Sequence, residues 1–128
     1  MNFEDLRNDF EVRYRFLEPE EDGRKTGQPY QGYRCDWRYA EFDENQTEKL
    51  QMWMIWPIFL DSDGVPLLDG THVARVGTAR MFILNEELRK TVHRERIRLG
   101  TRGYFMEGSR RVAEAEVIRV VTLMKDDL

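Results

Sequence analysis

One cysteine, two histidines, two serines and four prolines are all that this chain of 128 residues contains. A single thiol, Cys35, excludes an internal disulfide. His72 and His93 stand 21 residues apart, without cysteine partners or His-x-x-x-His spacing, so no metal centre is implied. Ser62 and Ser109 both sit in turn-forming sequences and no Gly-x-Ser-x-Gly elbow occurs, which excludes a serine hydrolase of that type. No Gly-x-x-x-x-Gly-Lys-Ser/Thr loop is present, so neither nucleotide binding nor nucleotide hydrolysis is implied, and nothing calls for a cofactor. The longest apolar run, Met52 to Leu60, is broken by Pro57 and falls well short of the ~20 residues a membrane helix needs. Met1-Asn2-Phe3-Glu4-Asp5 carries acids before any base, and no apolar stretch follows it, so no signal peptide is expected. Together these absences point to a cytoplasmic protein.

What is present describes a folded domain. Hydrophobic residues make up 41% of the chain and charged residues 34%, the balance of a globular protein and not of a disordered one. The length suits one domain, residues 1–128, with residues 1–9 as an N-terminal arm or helical turn. The net charge of −4 is unevenly distributed. Residues 75–111 carry ten bases against four acids, whereas residues 1–74 carry eight bases against sixteen acids. Most of the bases in the basic segment are arginines. Their forks suit phosphate or carboxylate, and equally suit the solvated outer face of a sheet.

Phe10, Val12, Tyr14 and Phe16 alternate with Glu11, Arg13 and Arg15, the period of a strand with one buried face. Pro19 and Gly23 end it. After a polar loop over 24–32, Tyr33, Cys35, Trp37 and Tyr39 alternate again, which turns the Cys35 thiol inward as a structural group. Asp43-Glu44-Asn45-Gln46 reads as a turn. Residues 50–60 are apolar on both faces and predict a strand covered on its outer side too. Trp53, Trp56 and Phe59 fall on both of those faces, so the outer ones are either capped or form a protein-contact surface. Asp61-Ser62-Asp63-Gly64 reads as a plain turn, since it lacks the ligand spacing of a calcium loop. Further strands are expected at 74–84, 97–99, 104–106 and 111–123, with Gly108-Ser109 as a hairpin turn. Asn85 before Glu86-Glu87 predicts a short helix over 86–92, capped by the asparagine and favoured by the acids in its first turn. If 94–98 were extended, its spacing of two would line Arg94, Arg96 and Arg98 on one side, with Arg102 and Tyr104 nearby, as an RNA surface of phosphate contacts and stacking.

Two segments carry a family resemblance. Gly23-Arg24-Lys25-Thr26, a loop with Pro29 and Tyr30, then Gly32-Tyr33-Arg34 leading into an aromatic strand, is similar to Gly-Arg-His-Thr … Gly-Tyr-Arg-Pro-Gln-Phe of the C-terminal β-barrel domain of elongation factor Tu. The stretch Gly100-Thr101-Arg102-Gly103-Tyr104-Phe105-Met106-Glu107-Gly108-Ser109-Arg110-Arg111-Val112 resembles, without gaps, Gly-Leu-Arg-Phe-Ala-Ile-Arg-Glu-Gly-Gly-Arg-Thr-Val of the same family. The resemblance implies a closed, antiparallel, six-stranded all-β barrel with one short helix. In the family this domain supports a GTPase domain and helps hold the T-stem of aminoacyl-tRNA. Lys25, Thr26 and Arg34 match the basic-Thr pair and the arginine of that tRNA-side loop, while Cys35-Asp36 replace its Pro-Gln.

The residues and the resemblance together predict a stand-alone, non-catalytic binding module with a protein as its favoured partner. Structured RNA is the alternative, through Arg24, Lys25, Thr26, Arg34, Arg94, Arg96, Arg98 and Arg102. An enzyme of unknown type is the third reading, which convergence of Arg34, Asp36 and a histidine in one pocket would revive.

Overall fold

The computed structural model describes residues 7–41 and 51–125. Six strands form one antiparallel sheet: β1 (Phe10–Phe16), β2 (Asp36–Tyr39), β3 (Ile55–Phe59), β4 (Val76–Ile83), β5 (Arg102–Glu107) and β6 (Arg110–Val120), in the order β2-β5-β6-β1-β4-β3. The alternation in β1 does what its period dictates. Phe10, Val12, Tyr14 and Phe16 are buried, and Arg13 is exposed. The same inner face collects Trp37, Ile55, Phe59, Ala79, Met81, Phe105, Ala115 and Val117 into one core. Tyr14, Phe16, Phe59 and Phe105 meet there at ring separations of 5.2–6.4 Å, mostly edge to face.

The sheet curls but does not close, which corrects the expected closed barrel. Its curl comes partly from β6, where the register against β1 slips between Glu11 and Val12 and that against β5 slips between Phe105 and Met106. Such bulges bend a long strand. Among the described residues, the edge strand β2 meets the segment leading into β3 at one bridge, where Trp37 and Trp53 exchange two backbone hydrogen bonds of 2.9 Å each. A longer ladder is blocked from the β3 side. Pro57 has no N–H to offer. Two residues on, the buried side chain of Gln31 takes the place of a strand: its Oε1 accepts from Phe59 N–H at 2.9 Å, and its Nε2 donates to the carbonyls of Phe59 and Leu67, each at 3.0 Å. The result is a half-barrel whose seam is plugged at Phe59 by a side chain in place of a neighbouring strand.

Several boundaries differ from expectation. The second strand begins at Asp36, because Tyr33 N–H closes a turn onto Tyr30 C=O with Gly32 at φ +102°. The third strand covers only Ile55–Phe59; Leu50 and the Asp43–Gln46 turn lie outside the described residues. The helix expected over 86–92 continues to 96 (α1, residues 86–96) as Glu86–Leu88, a wider π-type turn at Arg89–His93, and Arg94–Arg96. Asn85 caps it, accepting from Leu88 N–H at 3.0 Å. Residues 94–96 are therefore helical, 97–101 turn, and β5 starts at Arg102, so the extended row Arg94–Arg96–Arg98 does not form.

Residues 7–9 are no loose arm. Asp9 is fully buried and anchors α1 to the sheet. Its carboxylate accepts from Arg89 Nε at 2.8 Å, from Ile83 N–H at 2.9 Å and from Arg7 Nε at 3.3 Å, and its backbone pairs with Met81, Val121 and Leu123. Arg89, 1% exposed, also donates to the carbonyl of Thr122. One carboxylate thus holds the start of β1, the end of β4, the helix and the segment after β6.

Candidate functional site

Arg34 and Trp56, singled out in the sequence for different reasons, come together. After the Gly32 turn the chain alternates, with Tyr33 against the core, Arg34 out and Cys35 in. Trp56 lies on the outer face of β3, opposite Phe82 of β4 in register. The Arg34 guanidinium carbon sits 4.0 Å from the Trp56 ring centroid, a cation–π contact. Met54, 57% exposed, stands beside it, and a shallow groove of about 230 Å³ is lined by Arg34, Asp36, Met54, Trp56, Met106 and Glu107. Of the other two aromatic candidates, Phe59 is core, and Trp53 packs against the core at the seam.

The loop before Arg34 is bound to the protein itself. Arg24 donates to Glu107, to Gly27 C=O at 2.8 Å and to Thr26 Oγ1 at 3.3 Å, and its guanidinium lies 5.2 Å from the Tyr33 ring centroid. Tyr33 O–H donates to the same Glu107 carboxylate, and Lys25 Nζ donates to Pro19 C=O. Burial, followed by the charges of Asp36 and Glu107, pushes the Cys35 thiol far up, so it stays a protonated structural group.

The second arginine cluster is elsewhere. Arg102 opens β5 and Glu107, which holds Arg24, closes it, so the clusters stand about 17 Å apart along one strand. Arg94 donates to the carbonyls of Leu123 (2.8 Å) and Lys125 (3.0 Å), and Arg98 to those of Arg94 (3.0 Å) and Ile97 (3.3 Å). Arg96 lies 5.4 Å from the Tyr39 ring centroid and 5.7 Å from that of Trp53. Arg102 faces outward beside Arg13, Arg15, Glu114 and Glu116. The arginine-rich composition has a structural use as well: Arg7 covers Phe82, Arg34 covers Trp56 and Arg111 covers Tyr104 on the outer face of the sheet.

His93 does not join Arg34 and Asp36. It is buried between Tyr39 and Trp53, with Nδ1 2.6 Å from the Tyr39 oxygen. Burial, and then the charge of Arg96, lower its pKa to about 4, so the imidazole is neutral. His72 pairs with Tyr30 in an isolated bridge, their rings tilted against each other with centroids 4.1 Å apart. Among the described residues no three of His, Cys, Asp and Glu gather closely enough to hold a metal ion, and no helix is long and apolar enough to cross a membrane.

Sequence reasoning missed the Asp9–Arg89 pair, the Gln31 clamp and exposed Met54. The first two bring together residues 80 and 28 positions apart, beyond the reach of local pattern. Met54 was visible as an apolar residue on the outer face of its segment. No protein-family model matches the chain, and no curated protein matches it either.

Proposed function

We infer that the chain is a non-catalytic binding module of the cytoplasm whose partner is a protein, with Arg34, Trp56 and Met54 as the point of contact. The observation that carries this reading is the Arg34–Trp56 stack, an arginine held over an aromatic ring beside an exposed methionine. Trp and Arg dominate the energetics of protein interfaces, and a pre-ordered pair loses little side-chain entropy on docking. The groups that would suggest catalysis are committed elsewhere, Cys35 and His93 both buried and uncharged.

The protein reading is favoured over RNA because Arg24, Arg94 and Arg98 already donate to carbonyls or a carboxylate of the protein itself. A relationship to the elongation factor Tu barrel is part of the proposal. It is supported by three of the matched glycines, which adopt positive φ where chain reversal needs it: Gly32 at +102°, Gly100 at +85° and Gly108 at +58°.

The test is affinity capture from native extract, with and without ribonuclease, using the wild-type chain and the surface variants Arg34→Glu and Met54→Asp. The expected result is a protein captured equally in both arms and lost with either variant. Capture abolished by ribonuclease, and falling steeply with salt, replaces the protein reading by the RNA one.

A further inference from the structure

Two charges of opposite sign line the groove at Trp56, and neither is spent. Arg34 and Asp36 stand two residues apart, with buried Cys35 between them turned inward. The Arg34 guanidinium lies against the Trp56 ring, and among the described residues no oxygen accepts from its N–H groups. No donor among them reaches the Asp36 carboxylate, and the two side chains form no ion pair with each other. The third charge in the lining, Glu107, is taken, because Arg24 and Tyr33 O–H both donate to it.

Elsewhere on the surface neighbouring opposite charges do meet. Arg13 pairs with Glu116 at 3.4 Å, Arg15 with Glu21 at 2.9 Å and with Glu114 at 3.4 Å, and Arg75 with Glu18 at 3.2 Å. The Arg34–Asp36 pair is left unmatched where the surface is also apolar. Met54 is more than half exposed and Met106 in the same lining is buried, so the patch has both a projecting apolar group and a recess. At about 230 Å³ the groove falls below the ~300–1,000 Å³ of small-molecule sites and has room for a side chain.

These charges restrict what can dock. A run of phosphates that satisfied Arg34 would meet Asp36, and a polycation that satisfied Asp36 would meet Arg34. The matching surface carries one charge of each sign beside an apolar projection, and this patch is itself such a surface. A two-fold axis that passes between Arg34 and Asp36 brings each opposite the other's copy.

We propose that the occupant of this site is a second copy of the chain. The inference rests on the reading of Arg34, Trp56 and Met54 as a protein contact and names the partner. Arg34 of each molecule donates to Asp36 of the other, and Met54 of each packs into the groove opposite, where an unbranched thioether adapts to the recess. The same patch serves both molecules, so the contact closes at a dimer and does not propagate. The Trp56 stack holds each guanidinium in place before docking, which limits the entropy lost on association.

The test is sedimentation velocity on the full chain from micromolar to millimolar concentration. The expected mass rises with concentration from 15.4 kDa to twice that value and no further. Arg34→Glu and Asp36→Arg each set like charges against each other across the axis, so each variant alone stays monomeric. An equimolar mixture of the two forms a dimer, because one surface then carries two acids and the other two bases. That rescue, with circular dichroism, also shows that both variants are folded. A wild-type chain that is monomeric throughout overturns the proposal. So does association that survives either substitution, a mixture that fails to pair, or a species larger than a dimer. Affinity capture separates this result from the reading beneath it. A monomeric wild type that still captures a ribonuclease-resistant protein through Arg34 removes the second copy and keeps the protein contact, whereas a monomer that captures nothing removes both.

Discussion

His93 and Tyr39 meet inside the seam of the half-barrel, imidazole Nδ1 2.6 Å from the phenol oxygen, with Trp53 edge-on to the imidazole at 5.1 Å. A neutral imidazole with its hydrogen on Nε2 accepts the phenol's hydrogen bond at Nδ1. A protonated one would have to donate there instead, turning the phenol hydrogen away beside the Arg96 cation. The folded pKa near 4 lies below the ordinary 6.5, so the unfolded chain binds this proton first. The stabilisation is therefore complete above about pH 6.5 and is lost as pH falls toward 4, amounting to roughly 3 kcal/mol for this one group. Urea midpoints measured at pH 7.5 and 4.5 should differ less in His93→Asn than in the wild type. An unchanged difference would show that the acid sensitivity comes from carboxylates alone.

The Asp9–Arg89 pair predicts a strongly non-additive mutant cycle. Both side chains are essentially inaccessible, and each also holds backbone groups of other elements. Removing one partner leaves the other charged and buried, at a cost of about 3–5 kcal/mol. Asp9→Asn and Arg89→Met should each reach that range, whereas the double variant should lose clearly less than their sum. Chemical denaturation of the four proteins gives the coupling directly. Additivity within experimental error would mean that the carboxylate and the guanidinium act on separate parts of the fold.

Gly103 lies under the Trp37 indole, where a Cβ would stand 2.2 Å from Cζ2 and 2.5 Å from Cε2 of the ring. The ring cannot retreat, being fully buried against Phe10, Tyr39 and Phe105. Gly103→Ala should therefore destabilise by several kcal/mol, at or above the ~1–3 typical of overpacking. Trp37→Phe introduced into that variant should restore part of the loss, because a smaller ring leaves space for the methyl. If Trp37→Phe instead adds its full cost to that of Gly103→Ala, the indole is not what the glycine accommodates.

Local chemistry made much of the sheet readable. The alternation from Phe10 to Phe16, the Asn85 cap and the Gly108 reversal all lie within a few residues of sequence, and the structure has each of them. The helix was cut short at 92 because its buried face, Arg89, His93 and Ile97, repeats every four residues but is written with an arginine and a histidine. Arg94, Arg96 and Arg98 meanwhile imitate the period of a strand. The open seam had one visible signal, since a proline inside a strand marks an edge. The Gln31 clamp that completes the seam depends on residues 28 and 36 positions away. Arg34 and Trp56 were each legible as surface residues of interest, but their contact spans a loop whose path no local rule sets.

Gln31 should be the most sensitive polar residue of the seam. Its amide serves three backbone groups at once, the N–H and C=O of Phe59 and the C=O of Leu67, while its own backbone pairs with Thr71 and Gly70. Gln31→Leu keeps much of the volume and removes all three side-chain bonds. Phe59 C=O and Leu67 N–H still have each other, so the uncompensated groups are chiefly Phe59 N–H and Leu67 C=O, at about 1–3 kcal/mol each. Gln31→Glu does no better, because an ionised carboxylate can accept from Phe59 N–H but cannot donate to either carbonyl. Hydrogen exchange separates this local effect from global loss: the Phe59 amide should exchange far faster in Gln31→Leu, while the amides of Val12 and Tyr14 in the centre of the sheet follow global stability. Retained protection at Phe59, with stability within about 0.5 kcal/mol of wild type, would show that β3 is held by its pairing with β4 alone.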